Sequence, residues 1–333
     1  MDGEELQMTV QERALPRLGR DRGGEYDLVA REPKLVVKPG ERFVVETEDA
    51  LGGHLRSDDD LPTEASFGDA LANEAFNACA GPIHVQGARP GDVLVVEIHD
   101  IRVADQGATC IFEGSGPLAD SATYPDCRGP VTRIVRHLPG PSGTTSDGVG
   151  VFRDRVRWNL KPHIGTIALA PRRPLAAGAD SNYGQGPQGG NIDVRDVCAG
   201  SRVWLPVAVE GACLYLGDVH ASMGDGELTG VADESAADVT LSCELIPRKA
   251  IPFMRIETAD AIVQVNSAKP LDDALADAYR WMIDWLVEDH GFSAQDAYIL
   301  LGVHPDVRVN VYQFVKLGRL SFTVGVSFPR SAL

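Results

Sequence analysis

Turn-forming residues interrupt this chain so often that, over most of its length, only short extended segments have room to form. Leu35-Val36-Val37 and Phe43-Val44-Val45-Glu46-Thr47 flank the turn Lys38-Pro39-Gly40-Glu41 and read as a strand pair. Gly81-Pro82-Ile83-His84-Val85 repeats the pattern, and Pro90-Gly91 opens the run Val93-Leu94-Val95-Val96-Glu97-Ile98. That run is apolar on both parities, which predicts a strand buried on both faces. Residues 107–150 are rich in Gly, Pro, Ser, Thr and Asp, so loops and short hairpins are expected around one strand at 131–135. Further strands are expected at 156–160 and 165–170, followed by a loop over 174–190.

The pattern changes after Ile251. Leu271, Leu275, Ala278, Tyr279, Met282 and Leu286 recur at helical spacing, which predicts a helix over 271–289. Pro270 sits where a first-turn proline is tolerated, and Gly291 supplies the stop. Ser293-Ala294-Gln295-Asp296 opens a second helix through Leu301. Val307, Val309 and Val311 then alternate with polar residues as a half-buried strand, and a last strand covers 320–328. The fold class expected is mainly β, with β-sandwich- or barrel-like lobes and a C-terminal α/β portion. The chain divides into a polar, loosely docked N-terminal arm (1–33), a β-rich catalytic region (34–250) and the C-terminal α/β region (251–333).

Charge narrows the partners. A net charge of −17 over 333 residues repels phosphate backbones and anionic lipid, so neither nucleic acid nor a membrane surface is expected as a partner. The N-terminal residues are charged and carry no apolar signal segment, and no apolar run reaches the length of a membrane span. The six cysteines are scattered without a CxxC pair and read as reduced thiols, so a cytoplasmic location is expected.

Potential chemistry concentrates between Gly189 and Glu227. Asp218 and His220 follow an apolar, strand-like run and, being two residues apart, face one side of an extended chain. They suit a pair of metal ligands or an acid–histidine pair. Asp225 and Glu227 are also two apart, and Gly224 and Gly226 allow the tight bend that would return Glu227 towards His220. Asp193 follows Gly189-Gly190-Asn191, where a bend can aim it at the same place. The competing reading is a plain hairpin turn at Asp225-Gly226 with no chemistry. No HExxH, GxSxG, Walker loop or helix-opening GxGxxG is present. His163 reads as a structural histidine, Asp58-Asp59-Asp60 as a solvated loop, and His54, beside glycines and acids, as a candidate pocket residue.

Those residues carry a family resemblance. GGNIDVRD followed by LPVAVEGACLYLGDVHASMGDGE resembles the signature of the acetamidase/formamidase family. GPIHVQGARPGDVLVVEIHDI, KPHIGTIALAP and DALADAYRWMIDWLVEDHGFSAQDAYILLGVHPDVRV resemble other family segments in the same order, across residues 35–328. The resemblance implies hydrolysis of the C–N bond of short unsubstituted amides to carboxylate and ammonia. It also implies homodimers or homotetramers and a divalent metal, zinc or alternatively calcium. Asn191, Asp193, Asp218, His220, Asp225 and Glu227 match the signature, and Asp59 and Asp60 match an acidic position after the first glycine turn. On this resemblance Asp193, Asp218 and His220 are expected to hold the metal and Glu227 to act as general base. Asp225 is expected to support catalysis, fixing the imidazole or the amide, and Asn191, Asp59 and His54 to contact substrate. The chain departs from the family pattern at His54, at Asn73–Ala80 and at Glu113-Gly114-Ser115-Gly116, positions expected to border the pocket. Two other readings stay open: an amidase or γ-lactamase for a larger or cyclic amide, and a non-catalytic β-sandwich that binds a small ligand or metal.

Overall fold

The computed structural model describes residues 15–68, 75–173, 181–315 and 320–333. Parts of several expected features lie outside the described residues: 1–14 of the arm, 73–74 before the Gly81 strand, 174–180 of the loop, and Gly318-Arg319. The protein is mainly β, with three sheets and a C-terminal helical part. The largest sheet has nine strands in the order Arg17–Leu18, Arg42–Thr47, Ala237–Ile246, Val93–Val103, Arg202–Pro206, Arg255–Glu257, Ala261–Ala268, Phe322–Pro329 and Arg308–Gln313. A six-stranded sheet runs Gln185–Gly186, Gly189–Asn191, His163–Leu169, Leu214–His220, Cys79–Val85 and Leu35–Val37. Gln106–Ile111, Val131–Leu138, Val149–Phe152 and Val156–Asn159 form a four-stranded meander.

The two larger sheets share one apolar core. Leu94, Val96 and Ile98 of the first meet Ile83, Ile167 and Leu216 of the second in a single buried cluster. On the opposite face Val93 and Val95 pack with Trp204 and Ile251. The Val93–Ile98 part of this strand is thus covered on both sides, as its nearly continuous apolar run requires.

The strand pair expected around Pro39-Gly40 is a correction. The turn forms, with Glu41 N–H donating to Lys38 O at 3.1 Å, but its two arms enter different sheets. Leu35–Val37 runs parallel to Cys79–Val85, whereas Arg42–Thr47 pairs with Ala237–Ile246. Crossing between layers buries Val37, Phe43 and Val45 in the shared core, which a lone hairpin could not do. The described part of the arm is likewise firmly docked rather than loose. Arg17–Leu18 extends the large sheet, Leu18 and Leu28 are buried, and the Arg20 side chain donates to Thr47 O and Ala237 O at 2.8 and 3.0 Å.

Helix Leu271–His290 starts after Pro270 at its N-cap and ends at Gly291, whose φ of 73° is the left-handed stop. Helix Ala294–Val303 is capped by Ser293 Oγ, which accepts from Asp296 N–H at 3.0 Å. Both helices cover Ile262, Val324, Val326 and Phe328 of the large sheet. Among the described residues no helix is long and apolar enough to cross a membrane.

Candidate active site

The site sits where the Leu214–His220 strand lies beside His163–Leu169. Their ladder pairs Ile164 with Val219 and Thr166 with Gly217, leaving Gly165 and Asp218 unpaired between them. Gly165 instead turns its carbonyl to the N–H groups of Ile192 and Asp193, each at 3.1 Å. That interruption draws Asp193 over the strand pair. Asp193, Asp218 and Glu227 all have positive φ, at 47°, 56° and 44°. Backbone held in this sparsely populated region costs energy and concentrates at functional sites. Asp218 and His220 therefore converge across a kinked residue, not along the extended chain assumed from their spacing.

His220 is the hub. Its Nε2 lies 3.3 Å from Glu234 Oε2, 3.5 Å from Asp218 Oδ1 and 3.9 Å from Asp193 Oδ1. Asp193, His220 and Glu227 form one triplet, and Asp218, His220 and Glu234 another, in which one potential ligand atom per residue lies within 4.8 Å of the others. All five residues are buried. The orientation of His220 follows from its neighbour. His163 Nδ1 donates to Lys161 O at 3.0 Å, so its Nε2 is an acceptor, and it accepts from His220 Nδ1–H at 3.2 Å. His220 Nε2 is thereby left to face the carboxylates.

Each carboxylate is held from behind. Thr166 Oγ1 donates to Asp218 Oδ2 at 3.1 Å, and Ala232 N–H to Glu234 Oε1 at 2.8 Å. The Gln313 amide donates to Asp193 Oδ2 and, at 3.4 Å, to Glu227 Oε2. Gln185 fixes the sense of that amide by donating to Gln313 Oε1 at 2.8 Å. With its own amide oriented to suit its neighbours, Asn191 donates to both Asp193 oxygens at 3.0 Å. The opposite oxygens of Asp218 and Glu234 point at His220, and Glu234 Oε2 has no hydrogen-bond partner though fully enclosed.

The electrostatics show what such a cluster lacks. Burial, reinforced by the charges of Glu227 and Asp218, pushes Asp193 well above the carboxylate range. Burial likewise raises Glu234 strongly and brings Glu227 to about 7, against the pull of His220. Burial opposes charge on His220, but Glu234, Asp218 and Asp193 outweigh it and hold the imidazolium well above its usual value. His163 is driven down to about 3 by burial and by His220, so it stays neutral. Four enclosed carboxylates around one imidazole, one of them with an orphaned oxygen, fit a divalent cation through oxygen and nitrogen ligands.

The centre opens into a cavity of about 160 Å3. Asn191, Asp218, Glu227, Glu234 and Gln313 form its polar end. Of the residues expected from sequence, Asn191, Asp193, Asp218, His220 and Glu227 come together here. Three do not. Asp225 is exposed and ion-paired with Arg195 at 2.6 Å in an adjoining surface hollow, because the bend at Gly226, φ 88°, leaves Asp225 outside while Glu227 is buried. Asp59 is exposed on the glycine-led loop, where its neighbour Asp60 ties the turn through Arg56 and Ser57 N–H. His54 is exposed and packs edge-on against Phe67 with 5.3 Å between ring centres, outside the cavity lining. The fixing of the imidazole expected of Asp225 or Asp59 is done by His163, which sequence reasoning had placed as purely structural. Glu234, Gln313 and Thr166 were missed. The one local signal for Glu234 was an acid pair among small residues, Val231-Ala232-Asp233-Glu234-Ser235-Ala236, shortly after Glu227.

Comparison with known proteins places the chain in a family. The sequence matches the Acetamidase/Formamidase family over residues 31–185 and 183–329. It is 31% identical to an acetamidase of Mycolicibacterium smegmatis, covering 81% of this chain and 82% of that protein. A candidate formamidase of Schizosaccharomyces pombe is 30% identical over 63% of this chain, which spans only 60% of that relative's length. The crystal structure of an acetamidase from Yersinia enterocolitica superposes with a TM-score of 0.82 at 30% identity, covering 96% of this chain and 93% of that one. The chain belongs to the acetamidase/formamidase family.

Proposed function

We propose that this protein is an amidase that hydrolyses the C–N bond of small unsubstituted amides, releasing a carboxylate and ammonia. The observation that carries the reading is the enclosed His220–carboxylate centre at the polar end of a substrate-sized cavity. Family membership and acetamidase relatives support the same chemistry. Asp193, Asp218, His220 and Glu234 would hold a divalent cation, zinc suiting an imidazole with carboxylates and calcium being the oxygen-preferring alternative. Such a cation supplies Lewis acidity towards the amide carbonyl and makes water a better nucleophile near neutral pH.

The side chains do the rest. Glu227 takes a proton from the attacking water and passes it to the departing nitrogen; a carboxylate at about 7 is matched to both transfers. Gln313 steadies Glu227 and Asp193 together. Asn191 orients Asp193 and lines the cavity beside it. On the family resemblance we take the working form to be a cytoplasmic homodimer or homotetramer, which light scattering of the purified protein tests.

The decisive experiment is ammonia release from formamide and acetamide by Glu227→Gln and His220→Ala proteins, with metal analysis of each. Glu227→Gln should lose about 100-fold or more in kcat while keeping its metal, and His220→Ala should lose metal and turnover together. Wild-type turnover in the Glu227→Gln protein would overturn the assignment.

A further inference from the structure

The cavity is built for more than a two-carbon acyl group. Opposite the carboxylates it is walled by Leu51, Phe76, Phe112, Val231, Val315 and Leu320. The wall is pre-formed. Phe76 and Phe112 pack on buried Phe67, with ring centres 4.9 and 5.9 Å away, and on each other at 6.2 Å. Leu51 and Val231 belong to the same buried cluster as Phe67. Two hydroxyls in the lining, those of Ser115 and Thr229, are already committed: Ser115 Oγ donates to Phe112 O at 2.8 Å and Thr229 Oγ1 to Val231 O at 3.0 Å. Among the described residues no Lys or Arg lines the cavity.

Size and chemistry can be weighed together. An apolar cavity of about 150 Å3 is large enough to take benzene, and this one measures about 160 Å3 including its polar end. Formamide or acetamide would occupy the carboxylate end and leave the apolar side chains of the wall facing water. An uncharged apolar acyl group removes that water and buries its own surface, in a site that needs no rearrangement to accept it.

We propose that the preferred substrate is a primary amide whose acyl group is apolar and branched or cyclic, with about three or four carbons beyond the carboxamide. This rests on the amidase reading above and narrows its substrate class. The wall discriminates by burial alone, so it acts mainly on KM and on kcat/KM.

The test uses the full-length, metal-loaded protein. Ammonia release is measured for formamide, acetamide, butyramide, 2-methylpropanamide, cyclopentanecarboxamide and benzamide. Each added methylene should raise kcat/KM roughly four- to tenfold until the cavity is full. A Val231→Phe protein, with the wall brought inward, should shift the ratio of 2-methylpropanamide to acetamide kcat/KM down by at least about tenfold. In parallel, calorimetry of the same amides with the Glu227→Gln protein gives the dependence of Kd on acyl size without turnover. Affinity rising with acyl size supports the proposal even if no amide is hydrolysed, in which case only the amidase reading fails. A flat or falling series, with formamide or acetamide best in both kcat/KM and Kd, overturns the proposal and leaves the amidase reading standing.

Discussion

His220 meets the carboxylates with its Nε2 only because its other nitrogen is committed to His163. Partners that orient a ligand in this way are worth about 10–100-fold in metal affinity. A His163→Leu protein should therefore bind zinc about 10–100-fold more weakly in chelator competition, with ammonia release falling in step. His163→Gln, which can still offer an acceptor oxygen, should recover part of both; unchanged zinc affinity in the leucine variant would remove His163 from the site. A third buried histidine serves stability. His137 donates from Nδ1 to Ala104 O at 2.8 Å and from Nε2 to Asp233 at 3.1 Å. Burial opposes its charge, but the hydrogen bond and charge of Asp233 hold its pKa above the ordinary 6.5. The folded protein thus binds this proton more tightly than the unfolded chain. The resulting stability is fully present below pH 6.5 and is lost as pH rises through the raised folded value. His137→Leu should cost about 3 kcal/mol at pH 6, leaving Asp233 buried without its partner, and distinctly less at pH 9. Urea unfolding at the two pH values measures this, and an equal or larger loss at pH 9 would contradict it.

Between strands, the gap in the ladder at Gly165 and Asp218 makes room for the centre. A Cβ on Gly165 would lie 2.6 Å from Asp218 O, 2.7 Å from His220 Cε1 and 2.8 Å from Asp193 Oδ1. Gly165→Ala should fold, at a cost of about 1–3 kcal/mol for overpacking, yet bind zinc substoichiometrically and lose most of its ammonia release. Full zinc occupancy with wild-type turnover would mean that the gap is incidental. The same interruption explains which parts of the site were legible from sequence. Asp193, Asp218, His220 and Glu227 stand in one short stretch beside glycines, so their density was visible before any fold was known. The glycine bend expected at Gly226 forms, with Gly226 and Glu227 at φ 88° and 44°, but spacing could not tell that it leaves Asp225 exposed while Glu227 is buried. Gln313 and Thr166 reach the carboxylates from strands 120 and 52 residues away in sequence from their partners, and nothing local marks them. The first half of the strand Val93–Val103 was legible because its nearly continuous apolar run reflects burial on both faces. The partners of Leu35–Val37 and Arg42–Thr47 were not, because the strands that complete their sheets come from distant chain.

At the scale of the molecule, the division at residue 250 suggested by composition falls inside a continuous sheet. Arg202–Pro206 pairs with Arg255–Glu257, which carries the nine strands without a break from the N-terminal residues to Phe322–Pro329 and Arg308–Gln313. The site also draws on both sides of that line, since Gln313 steadies Asp193 and Glu227. Lys249 and Trp204 couple the halves further: Lys249 Nζ donates to Asp289 at 2.6 Å, and the Trp204 ring centre lies 6.1 Å from that of Trp285. Cutting the chain after residue 250 would leave Arg202–Pro206 as an open sheet edge carrying the buried side chains of Val203 and Leu205, the kind of edge that drives aggregation. We therefore propose that residues 34–250 and 251–333 form one cooperative unit despite their different composition. A fragment of residues 1–250 should be insoluble or lack a cooperative thermal transition, and should bind zinc weakly for want of Gln313. Refolding it with a 251–333 fragment should restore both the transition and ammonia release. Should the 1–250 fragment instead unfold cooperatively as a monomer with zinc bound, the C-terminal region would be an appendage, and the contact of Gln313 with Asp193 and Glu227 would be dispensable for the centre.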